Sequence, residues 1–158
     1  MDSSVWIVIG LVILLLLILL WRIFRGPPPK EAIEQMLSRR EKQLRQEHFE
    51  RASQSGKPRG LRWIEIEWGE ETTLAWDRPN QLWVALTETT IRFEAVEGSD
   101  MEGLPAVSNL RTSTALFFFD KGDWRASGKT IFNLTPGEVL ERFASQYERQ
   151  DPNNPLAS

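Results

Sequence analysis

The chain has no cysteine and a single histidine, His48, among its 158 residues. Disulfides, cysteine nucleophiles and Cys/His zinc sites are therefore excluded, and no histidine base is on offer beyond residue 48. The chain also lacks a strong excess of either charge: 19 Lys and Arg face 22 Asp and Glu, a net charge of −3. The balance is uneven along the chain. Residues 1–60 hold ten basic and six acidic side chains, residues 61–158 nine and sixteen. Phosphate backbones need a basic footprint, so the acidic C-terminal part argues against nucleic acid as a partner. A phosphate loop is missing too. Between Gly122 and Gly128-Lys129-Thr130 stand five residues where the motif needs four, and strand-like Ile131-Phe132 follows where it needs a helix. The stretch reads as a hairpin with a bulge or bend at Ser127-Gly128. No catalytic residue, metal ligand or cofactor is expected, and the chain reads as a non-enzyme.

What is present begins with an apolar run from Val5 to Trp21, without a charge. A membrane-spanning helix needs roughly 17–25 such residues. Trp6 and Trp21 stand at its ends, where indoles favour the membrane interface, and Arg22 and Arg25 follow at once. No basic residue precedes the run, and no small-residue cleavage site follows it, which argues against a cleaved signal peptide. The expectation is an uncleaved signal-anchor: residues 1–4 outside, a single-pass transmembrane helix over 5–21, everything beyond in the cytoplasm, and the lipid bilayer as first partner.

Residues 22–52 read as a basic juxtamembrane segment, with Pro27-Pro28-Pro29 as a stiff spacer, leading into a helical stalk rich in Glu, Gln, Arg and Leu. Its apolar stripe is thin: Ile33, Met36, Leu37, Leu44, Phe49. A heptad reading 33/37/40/44/47 puts Arg40 and Glu47 in the seam, so only weak self-association through the 30–52 helix is expected. Residues 53–60 are a linker by composition, and residues 150–158, with two prolines and two asparagines, a disordered tail.

Residues 61–149 form the folded domain, of α+β class: a small curled antiparallel sheet of about five or six strands capped by a C-terminal helix. Strands are expected at 61–68, 72–76, 81–87, 90–96, 113–119 and 124–132, with a long loop over 97–111. Thr135, Pro136 and Glu138 spell a capping box for the closing helix, whose apolar face holds Val139, Leu140, Phe143, Ala144 and Tyr147. Leu116 to Phe119 is apolar on both faces and belongs at the sheet centre. The helix covers one face. The sheet's own curl, the 97–111 loop or a partner must cover the other.

Strict alternation along 61–68 places Ile64, Ile66 and Trp68 on one side and Trp63 with Glu65 and Glu67 on the other. An exposed Trp63 beside Arg62 and Glu65 has the composition of a binding hot spot, and these three are the candidate partner contacts. The expected function is a non-catalytic adaptor or scaffold: a membrane anchor presenting a small acidic cytoplasmic domain to a protein partner. The alternative is a membrane-tethered small-ligand sensor or enzyme using the domain's carboxylates, Glu65 and Glu67 first among them.

Overall fold

A computed structural model describes residues 10–17, 28–55 and 58–149. The chain divides into two compact units, residues 1–35 and 36–158.

In the first unit, residues 10–17 are helical (α1), with Leu11 to Leu17 all exposed. This corrects the expected anchor. No helix among the described residues is long and apolar enough to cross a membrane. The transmembrane, single-pass and signal-anchor readings over 5–21 fall with that finding. So do the outside placement of residues 1–4 and the cytoplasmic placement of the domain. Trp6, Trp21, Arg22 and Arg25, offered as interface anchors, lie outside the described residues, as does the 150–158 tail.

The second unit is built on one antiparallel sheet of five strands: β1 (Leu61–Asp77), β2 (Leu82–Ala95), β3 (Arg111–Asp120), β4 (Asp123–Phe132) and β5 (Tyr147–Arg149), in the order β4-β3-β2-β1-β5. The six expected strands become four long ones plus a short edge. The two segments read at 61–68 and 72–76 are one strand, bent by a register shift between Trp68 and Thr72. The two read at 81–87 and 90–96 are likewise continuous through Glu88 to Thr90. A bulge bends a strand without ending its ladder, so Gly69 marks a bend where the sequence suggests a stop. The β3–β4 hairpin turns through Lys121 and Gly122, both at positive φ (53° and 83°), the handedness of a tight two-residue turn.

Each face of this sheet has its own helix. On one side, α3 (Pro136–Arg142) starts at the expected capping box: the Thr135 hydroxyl accepts from the Glu138 amide, and the Glu138 carboxylate accepts from the Thr135 amide at 2.7 Å. That bond, with a second from the Thr135 hydroxyl, holds the Glu138 carboxyl below its usual range. Val139 and Leu140 pack with Ala75, Val84, Leu86 and Leu116 in one core. The helix stops at Arg142, sooner than the apolar spacing suggests. Tyr147 reaches the same core as part of β5, after a turn in which the Gln146 and Tyr147 amides both donate to the Phe143 carbonyl.

The opposite side is covered by α2 (Lys30–Gln54), over its residues from 36 onward. Arg40 donates to the carbonyl of Trp124 at 3.1 Å and ion-pairs with Asp123. His48 meets Trp68 and Phe117 ring to ring at 5.6 and 5.5 Å. Ala52 joins Trp63, Ile91 and Phe93 in a second core. These contacts recur at helical spacing on one stripe, with Leu44, one turn before His48, buried at 1% exposure. The segment expected to stand in solvent as a stalk is, from residue 36, the cover of the second sheet face. The heptad seam read for self-association shares Arg40 and Leu44 with this stripe.

Close approach makes this possible. Gly128 lies in the β4 bulge at φ +76°, and a Cβ there would sit 2.7 Å from the Ala52 nitrogen and 2.9 Å from the Arg51 carbonyl carbon. Only glycine satisfies both the left-handed backbone and the helix pressed against it.

Candidate interaction face

Residues on a strand alternate between the two sheet faces, so β2 assigns the faces directly. Trp83, Ala85, Thr87, Thr89, Ile91 and Phe93 look toward α2, and all are buried. Val84 and Leu86 look toward α3 and are buried, but Glu88, Arg92 and Glu94 on the same side are exposed. The α3 core therefore ends near Leu86. Beyond it, Thr114 donates its hydroxyl to the Leu134 carbonyl at 2.8 Å, closing the edge of that core. The rest of this face, on β1 and β2, is open.

The open half is a lattice of cross-strand charges. Arg62 sits opposite Glu94 and ion-pairs with it, and Glu65 sits opposite Arg92 and ion-pairs with it. All four side chains are at least half exposed. Glu67 is opposite Thr90, and Glu88 packs against Gly69, where a Cβ would meet it at 3.1 Å. Exposed pairs of this kind contribute about 0–1 kcal/mol each, so they pattern the surface more than they hold the fold together. With both pairs neutral, Glu67 and Glu88 leave the face acidic.

Two of the three candidate contacts, Arg62 and Glu65, lie on this face. Trp63 does not. The register runs from Trp63 opposite Phe93 to Glu65 opposite Arg92, leaving Ile64 as an extra residue. The bulge breaks the strict alternation and turns Trp63 to the α2 side, with Ile66 and Trp68. There it is 6% exposed, edge-on to Phe93 at 5.2 Å and tilted against Phe132 at 6.0 Å. Ile64, placed inside by alternation, is 39% exposed. Sequence reasoning passed over Glu88, Arg92 and Glu94, although the run from Glu88 to Glu94 carried the signal: polar residues at every second position, facing buried Thr89, Ile91 and Phe93.

His48 is wholly buried between α2 and the sheet. Its Nε2 lies 3.0 Å from the Thr130 hydroxyl, and its Nδ1 has no hydrogen-bond partner. Burial lowers its pKa from 6.5 to about 4, so the ring is neutral at pH 7. A ring walled in by Trp68 and Phe117 has no route to a substrate proton. Among the described residues, shallow clefts flank the domain. One of about 290 Å³ runs past Ser55, Trp63 and Ser127 to Thr130. One of about 300 Å³ holds Arg40, Glu47, Arg51, Asp123 and Arg125. One of about 220 Å³ is floored by Leu61, Phe93 and Phe132. In the second, the Arg40 guanidinium hydrogen-bonds Asp123 and holds its carboxyl below the usual range. Glu47 also pairs with Arg40, at 3.5 Å, so the cleft's acids are engaged with its own cation. Among the described residues no group of three His, Cys, Asp or Glu is placed to hold a metal ion. No family model, no curated protein and no solved structure matches the chain.

Proposed function

We propose that residues 36–149 act as a non-catalytic interaction module, an adaptor or scaffold domain. It offers the open half of its sheet, Arg62, Glu65, Glu67, Glu88, Arg92 and Glu94, to a protein partner. One observation carries this reading: α2 covers one sheet face, while α3 covers only half of the other. The uncovered half is fixed by two paired strands, so its charges need no ordering before they meet a complementary surface. The burial of the only histidine among aromatic rings supports a binding role over acid–base chemistry.

The absence of cysteine makes the test direct. Arg92→Cys in the full chain accepts a thiol-reactive photocrosslinker on the open face, and Arg142→Cys, at the end of α3, serves as the control. The reading expects a partner crosslinked from position 92 and not from 142, and its loss when Arg62→Glu is added without a change in melting temperature. Equal crosslinking from both positions, or capture indifferent to Arg62→Glu, overturns it.

A further inference from the structure

The partner's backbone geometry can be argued from the edge of the same face. β5 pairs with β1 only at Ala75, Trp76 and Asp77, so no described strand flanks β1 from Leu61 to Leu74. The opposite edge of the sheet is guarded. Asp123 accepts from the Trp124 amide at 2.9 Å, Arg40 takes the Trp124 carbonyl, and the Ala52 backbone presses on Gly128. On β1, by contrast, the Glu65–Trp68 segment keeps a regular register between the bulge at Ile64 and the shift that follows Trp68. It spans about 13 Å at ~3.3 Å per residue, enough for a short strand.

The two sides of this segment differ. Glu65 and Glu67 are exposed on the open face, with Glu70 exposed further along, while Ile66 and Trp68 are half-buried on the α2 side. The Arg45 guanidinium lies over the Trp68 indole at 5.3 Å and reaches toward the Gly69 carbonyl at 3.4 Å, closing the far end of the segment. A strand added here must alternate. Its basic residues meet Glu65 and Glu67, and its apolar residues meet Ile66 and Trp68. A second copy of the edge fits badly, because pairing β1 with β1 sets four glutamates side by side.

We propose that β1 receives an extended segment of alternating basic and apolar residues from the partner, as an added antiparallel or parallel strand over Glu65–Trp68. This rests on the interaction-module reading and specifies how the partner docks. The chemistry is that of strand addition: main-chain hydrogen bonds supply affinity, and alternate side chains supply selectivity. The Glu row makes the edge selective by repelling acidic segments and copies of itself.

The experiment titrates the isotope-labelled full chain with a short synthetic peptide alternating lysine and valine. A second titration uses the same peptide N-methylated at every second amide on its edge-facing side. The proposal expects amide shifts and slowed hydrogen exchange centred on Glu65–Trp68, abolished by N-methylation. Glu65→Lys/Glu67→Lys should weaken binding about tenfold or more with the shifts of Leu86 and Leu116 unmoved. Binding indifferent to N-methylation, with shifts spread over Arg62, Arg92 and Glu94, overturns the added strand while leaving the interaction face standing. Failure of crosslinking from position 92 overturns the face without altering the edge titration. A free chain that already dimerises through β1, or no binding by either peptide, also overturns the proposal.

Discussion

His48 is where a single side chain couples the fold to pH. Its pKa falls from 6.5 to about 4 because burial disfavours the charged ring, and Nδ1 has no acceptor waiting for a second proton. The sign follows from linkage. The folded pKa is depressed, so as pH falls the unfolded chain takes the proton first. The stability is fully present above pH 6.5 and is lost progressively down to about pH 4, by about 3 kcal/mol at ~1.36 kcal/mol per pKa unit. Urea unfolding of wild type and His48→Leu at pH 7.5 and pH 5 measures this. Carboxylates titrate alike in both proteins, so the difference between them isolates the ring. Wild type should lose the additional stability and His48→Leu should not; equal losses would show that the ring is hydrated in the folded protein. The sequence fixes that there is one histidine but not its burial. His48 reads as a polar residue of a charged helix, and only the pairing of that helix with Trp68 and Phe117 makes it core.

At the level of elements, the seam between α2 and β4 decides what this fold is. Gly128→Ala must push a Cβ into the Ala52 and Arg51 backbone from a left-handed conformation, while Gly122→Ala meets a similar left-handed φ in open space. The left-handed cost alone is about 1–2 kcal/mol, and overpacking adds about 1–3 kcal/mol. Gly128→Ala should therefore lower the unfolding free energy by at least ~1 kcal/mol more than Gly122→Ala, read from denaturant midpoints. Equal effects would mean that the helix does not press on the bulge. Much of the element plan was legible in the residues: the capping box of Thr135 and Glu138, the Asp120–Asp123 turn, the bend at Ser127-Gly128 and the two-sided burial of Leu116 to Phe119. The role of α2 was not. Its inward stripe is made of Arg40, Leu44, His48 and Ala52, and two of these four, Arg40 and His48, are residues that a hydropathy pattern does not count as apolar. Bulges hid the rest. A one-residue slip at Ile64 sends every side chain before it to the other face, so Trp63 moved from expected contact to core and Arg62 came to the open face, where Glu65 already stood.

At the scale of the second unit, the account stands on α2 belonging to the domain from residue 36 onward. If it does, one sheet face is closed, the α3 face is half closed, and the charged half of β1 and β2 is sheet surface that no described helix covers. The expected transmembrane helix has no counterpart among the described helices, and the open sheet face now carries the functional argument. Hydrogen exchange of the full chain tests the central claim most directly, because helix amides sealed against a core open only when that core opens. The account predicts that the amides from Leu44 to Ala52 exchange with the same free energy as Leu86 on β2 and Leu116 on β3, and respond to denaturant with the same slope. Amides of α2 exchanging orders of magnitude faster than those strands, with no dependence on denaturant, would show a solvated helix beside an uncovered sheet and contradict it.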